Sequence, residues 1–208
     1  MKAKIEEIIQ IEWDMFQHVN NIGGRADCQD DFETFYIMRA SQYENWSDDM
    51  LCCYYKFLKE SESQGRNLVA EKYGRMMQFT DLHYYNKYVA PYIPTVPHKN
   101  YILINEIIPI LVAWEQNFSL QYPHIAQSGR PLTSEDDASG FTSMETYARG
   151  ELETYPTQLL TLYAAYIKQL RAEGRSLSVM IQKTMVNLYG YDTIEDAETS
   201  LIKGRFEN

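Results

Sequence analysis

Basic residues are never concentrated in this chain. No four Lys or Arg stand together, and 19 of them are outnumbered by 29 Asp and Glu, for a formal charge of −10. A nucleic-acid binder needs a dense basic face and an anionic membrane surface attracts the same feature, so neither partner is expected. Cysteine is equally sparse. Cys28, Cys52 and Cys53 form no CxxC and no even set, which argues against a disulfide framework and for a reducing compartment, the cytoplasm. The four histidines (His18, His83, His98, His124) are scattered, and neither HExxH nor paired Glu-x-x-His occurs. Zinc and di-iron centres are therefore not expected and no metal ligand is assigned; oxygen-held Mg²⁺ or Mn²⁺ is the metal chemistry left open. No cofactor is indicated. The most apolar stretch, Tyr101 to Trp114, is broken by Asn105 and Glu106 and is too short to span a bilayer. The opening Met-Lys-Ala-Lys-Ile-Glu-Glu lacks the apolar core of a signal peptide.

What is present is apolar and aromatic: 45% hydrophobic residues, 17 of them Tyr, in 208 residues, enough for a substantial core. No stretch alternates with period two, whereas period 3.6 recurs throughout. The spacing predicts an all-α fold, a bundle of about nine helices over 2–20, 31–46, 48–62, 68–78, 99–122, 143–155, 156–172, 177–189 and 193–203. The chain reads as one helical domain, 1–208, with candidate halves 1–80 and 99–208. An extended, Pro/Tyr-rich connection holding Pro91, Pro94 and Pro97 would join them. Pro109 should kink the fifth helix. Capping boxes are expected at Asp30/Glu33 and Thr142/Glu145, and Thr193 with Asp196 is expected to cap the last helix. A faint repeat supports the halves: Gly65-Arg66-Asn67-Leu68 recurs as Gly174-Arg175-Ser176-Leu177, and Glu33-Thr34-Phe35 as Glu145-Thr146-Tyr147.

Four of these helices carry a charged residue in the middle of the apolar stripe. Glu12 falls among Ile5, Ile8, Ile9, Met15, Phe16 and Val19. Arg39 falls among Phe35, Tyr36, Tyr43 and Trp46. Glu151 lies between Tyr147 and Tyr155, and Glu115 aligns with Ile104, Ile108, Leu111 and Phe118. An unpaired buried charge costs several kcal/mol, so these groups must meet one another, a ligand or a metal. The first two helices are joined by a short link and should pack antiparallel, which places Glu12 level with Arg39 and predicts their contact. The plain reading is an ion pair that fixes helix register. The alternative is a pocket in which Arg39, with Gln42 and Arg25, binds an anion while Glu12, Glu151 or Glu115 moves a proton. Trp13, Trp46 and Tyr147 would wall that pocket, and the polar loop 123–141 would cover it.

Two local features bear on this. Gly23-Gly24-Arg25-Ala26-Asp27-Cys28-Gln29 suggests a phosphate loop, but it follows a helix and lacks Gly-Lys-Ser/Thr, so a helix stop is the preferred reading. Gly150 inside a helix, unfavourable by about 1 kcal/mol against Ala, implies close approach of another helix or a ligand. Its neighbours Arg149 and Glu153 should face water.

Ile11-Glu12-Trp13-Asp14-Met15-Phe16, then Asn21 to Ala26, then Phe35-Tyr36-Ile37-Met38-Arg39-Ala40-Ser41-Gln42 resemble the first motif of a bacterial family catalogued as a domain of unknown function. Glu145-Thr146-Tyr147-Ala148-Arg149-Gly150-Glu151-Leu152 is similar to its second. The resemblance covers most of the chain and implies a cytoplasmic bacterial protein, sometimes fused to a nucleotidyltransferase-like domain. It implies no reaction or cofactor. Helical RNA-cutting toxins are set aside because their Arg-x(4–6)-His motif is missing; the nearest pair is Arg75 and His83.

Two functions follow as expectations. One is an enzyme of lyase, hydrolase or transferase type that uses a buried Glu as acid or base and Arg39 as anchor for a small polar or anionic metabolite. The other is a non-catalytic helical module that binds a ligand, a protein partner such as a nucleotidyltransferase-like chain, or a second copy of itself.

Overall fold

A computed structural model describes residues 1–21, 23–137 and 141–206. Among these there are eleven α-helical segments and no strand. The nine expected helices are all present: α1 Lys2–Gln17, α2 Phe32–Tyr43, α3 Asp48–Ser63, α4 Leu68–Thr80, α6 His98–Gln121, α8 Met144–Leu152, α9 Thr157–Ala172, α10 Leu177–Leu188 and α11 Ile194–Phe206. Two short helices, α5 Leu82–Tyr84 and α7 Pro123–Gln127, fill segments expected to be irregular. The 80–98 connection is therefore wound rather than extended. Asp81 caps it by accepting the Tyr84 N–H. A π turn and a 3₁₀ turn then follow, with Pro91 in the first turn of the latter, where a missing N–H is harmless. Helix α6 runs unbroken through Pro109. Residues 138–140 of the expected loop, and Ile22 of the expected helix stop, lie outside the described residues.

Two of the three expected caps shift by one residue, each because an arginine has taken the oxygen. Asp30 is held by Arg25, so Asp31 caps α2 by accepting the Thr34 N–H. Thr142 accepts from Arg130, so Ser143 caps α8 through the Thr146 N–H. Thr193 caps α11 as expected, accepting from Asp196.

The helices fall into two sets. Helix α1 packs on α2, α3 and α4; α6 packs on α8, α9 and α10; and α4 meets α8, α2 meets α10, and α3 meets α9. The main core runs through both sets, from Ile8, Ile9 and Leu58 to Ile104, Leu159 and Ile167. A smaller cluster of Phe118, Val186, Ile194 and Ala197 lies under α11. No helix among the described residues is long and apolar enough to cross a membrane.

Candidate functional site

The apolar stripe of α1 turns inward and takes Glu12 with it, leaving that side chain 1% exposed. Arg39 of α2 faces it. The arginine Nε donates to Glu12 Oε2 at 2.8 Å and its Nη2 to Oε1 at 2.5 Å, the forked contact expected from the helix register. The remaining nitrogen, Nη1, donates to both oxygens of Glu151 on α8 at 3.1 Å and to Gln42 Oε1 at 3.1 Å. One guanidinium thus lies between two buried carboxylates. Lys72, from α4, completes the set with a 2.8 Å bond to Glu151 Oε2. Two cations balance two anions, which is what burial of charge requires.

Tyrosine hydroxyls donate to one oxygen of each carboxylate as well. Tyr43 and Tyr54 donate to Glu12 Oε1 at 2.7 and 2.5 Å, and Tyr155 donates to Glu151 Oε1 at 2.8 Å. Gln42 also donates to Glu151 Oε1 at 3.1 Å. Burial, reinforced by the adjacent carboxylates, lifts all three phenols well above their ordinary range. Burial acts against the charge of Glu151, but Arg39 and Lys72 outweigh it and hold the carboxyl far below the usual range. Lys72 is raised despite burial, chiefly by Glu151. An ammonium kept protonated is a charge and not a nucleophile.

On its outer side this cluster opens into a recess of about 170 Å³ between α1, α2, α4 and α8. Arg39 and Lys72 form its inner end, and Phe16, Phe35, Met38 and Val69 its apolar wall. Phe16 stacks between Phe35 and Tyr73, at 5.4 and 6.1 Å between ring centroids. Burial pushes the Tyr73 phenol up to about 12. Tyr147 has cations over its ring, Lys72 at 3.6 Å and Arg130 at 4.6 Å. Arg130 is also tied to the Thr142 carbonyl and hydroxyl. Cys28, Asp31 and Thr34 form the polar rim.

The other expected site residues lie elsewhere. Glu115 faces Ser178 on α10, and its carboxyl is raised by burial; it makes no contact with the cluster among the described residues. Arg25 is bound to Asp30 at 2.7 Å, Gln17 Oε1 at 2.5 Å and the Gln29 carbonyl at 2.9 Å, away from the recess. That loop acts as a helix stop, because buried Gln29 donates to the Phe16 and Val19 carbonyls at the end of α1. Trp13 packs on Phe32 and Phe35 at 5.2 and 5.1 Å. Trp46 sits edge-on among Tyr43, Tyr155 and Tyr163. Neither tryptophan walls the recess; Tyr147 does. Glu153, expected in water, is buried beside Gln78 and Arg75. Among the described residues no three His, Cys, Asp or Glu side chains gather as a metal site.

Lys72 is the residue the stripe argument overlooked, although it obeys the same rule. It stands between Val69 and Met76 on the buried face of α4, as Glu12 stands in α1. Arg130 gave no such signal, since it lies in irregular chain. Fold and site together define an all-α protein built around a charge-balanced, hydrogen-bonded Glu–Arg–Glu–Lys cluster with a small recess against its cations. The chain belongs to the family described as Protein of unknown function (DUF4125), which it matches over residues 2–199. No curated protein and no solved structure matches it.

Proposed function

We propose that this protein binds a small anionic metabolite in the recess, with Lys72, Arg39 and Arg130 as its anchors. The observation that carries the reading is Lys72. The residue is 5% exposed and lines the recess, and its ammonium spends one of three donors on a carboxylate, Glu151. A buried ammonium beside an open recess is well placed to accept an anionic group. In this reading Glu12 and Glu151 position the two inner cations. The acid–base role is not assigned to Glu151, because a carboxyl held so low neither donates nor takes up a proton readily near neutrality. The test is a thermal-shift screen of monocarboxylates, phosphate monoesters and inorganic phosphate. At least one should raise the melting temperature of wild type and leave that of Lys72→Met unchanged. A screen in which none does so would sink the reading.

We also propose that the two helix sets descend from one duplicated unit. Gly65 and Gly174 have φ of +70° and +67°. Each is followed by the same helix-closing bond, Arg66 N to Ser61 O at 2.9 Å and Arg175 N to Leu170 O at 2.8 Å. Asn67 and Ser176 then cap the next helix in the same way. Ile181 stands as far after Gly174 as Lys72 does after Gly65. The second unit thus has no ammonium at the place that corresponds to Lys72.

A further inference from the structure

We infer that the ligand is a monocarboxylate carrying a single ring or a branched apolar chain of similar size. This rests on the anion-binding reading above and goes on to commit to a class. Charge limits the head group. Arg39, Lys72 and Arg130 supply three positive charges at the recess, while Glu12 and Glu151 behind it and Asp31 on its rim supply three negative ones. The site is neutral when empty. One added negative charge can share the unspent donors of Lys72 and the exposed guanidinium of Arg130. A second would enter a site that the first has already made negative, and would lie near Asp31, where desolvation and like-charge repulsion both act against it. A carboxylate therefore fits better than a phosphate monoester dianion.

Size and lining set the rest of the molecule. The volume of about 170 Å³ is close to that of an engineered apolar cavity of about 150 Å³ that takes up benzene. Apart from the cations and the polar rim the lining is apolar and aromatic, with Phe16, Phe35, Met38 and Val69, and it includes the stacked rings of Phe35, Phe16 and Tyr73. Acetate would leave that lining wet. A ring would cover it, and apolar area removed from water is the main source of affinity in so small a site.

Isothermal titration at pH 7 compares benzoate, acetate, phenyl phosphate and inorganic phosphate on wild type and on Arg130→Gln, an exposed substitution that leaves the buried cluster intact. Benzoate should bind at least tenfold more tightly than acetate and more tightly than phenyl phosphate. Arg130→Gln should weaken benzoate about threefold or more. Acetate equal to benzoate, or phenyl phosphate tighter than benzoate, overturns the ligand class while anion binding itself stands. An unchanged benzoate affinity in Arg130→Gln also overturns it. If none of the four probes binds, the ligand class falls as well. The wider screen of Lys72→Met then decides whether any anion site exists.

Discussion

Replacing Arg39 by Met should be among the most damaging single changes in the protein. The guanidinium makes every direct link between Glu12 and Glu151, and its loss leaves two carboxylates in the interior. Removing one partner of a buried pair costs roughly 3–5 kcal/mol. Doubling that figure would overcount, because Glu151 keeps Lys72 and Tyr155, and Glu12 keeps two phenolic donors. With about 4 kcal/mol lost and about 2–4 °C per kcal/mol in a chain of this size, the midpoint should fall by about 8–16 °C at pH 7. Scanning calorimetry at several pH values adds a signature that simple loss of packing lacks. In wild type the Glu151 carboxyl lies well below its ordinary 4.5. Its contribution is therefore present in full above that value and is lost as pH falls toward the folded one. In the variant Glu151 has lost one of its two cations and takes up a proton at higher pH than in wild type. The gap between variant and wild type should narrow as pH falls below 4.5. A variant melting within 2 °C of wild type at pH 7, or a gap that ignores pH, would refute the buried-pair argument.

Two further changes test its surroundings. Tyr54→Phe deletes one donor to the Glu12 carboxylate; a bond to a charged group contributes roughly 1.5–3 kcal/mol, so urea unfolding should show a loss in that range, smaller than for Arg39→Met. Gly150→Ala sets helix propensity against space. An alanine Cβ would lie 2.7 Å from Met76 Cγ and 3.1 Å from the Lys72 carbonyl oxygen. The expected result is a net loss of about 1–3 kcal/mol in the same assay, although alanine alone would favour the helix by about 1 kcal/mol. A stabilised Gly150→Ala would show that α4 and α8 are not in such close contact.

Much of this was legible in the residues because helical period is local information. The stripe that buries Ile8 and Ile9 must bury Glu12, and a short link between α1 and α2 brings Arg39 level with it. Gly150 likewise announced a close neighbour. What the pattern did not reveal was long-range pairing. Glu115 and Glu151 obey the same stripe rule, yet one meets Ser178 and the other meets Arg39, because the rule says that a face is buried and not what covers it. Glu153 was misplaced for the related reason that α8 is covered on more than one side, by α4 and by α6. The capping oxygens of Asp30 and Thr142 were lost to arginines that local spacing does not track.

Taken alone, the order of residues determined the helices, most of their ends and the presence of charge in the interior, since these follow from interactions within a few turns. The tertiary structure decided that Lys72 joins the cluster, that the tyrosines spend their hydroxyls on its carboxylates, and that a recess opens beside Tyr147. Those outcomes depend on how α1, α2, α4 and α8 converge. Convergence is set by the packing of whole faces, which no short window of sequence contains.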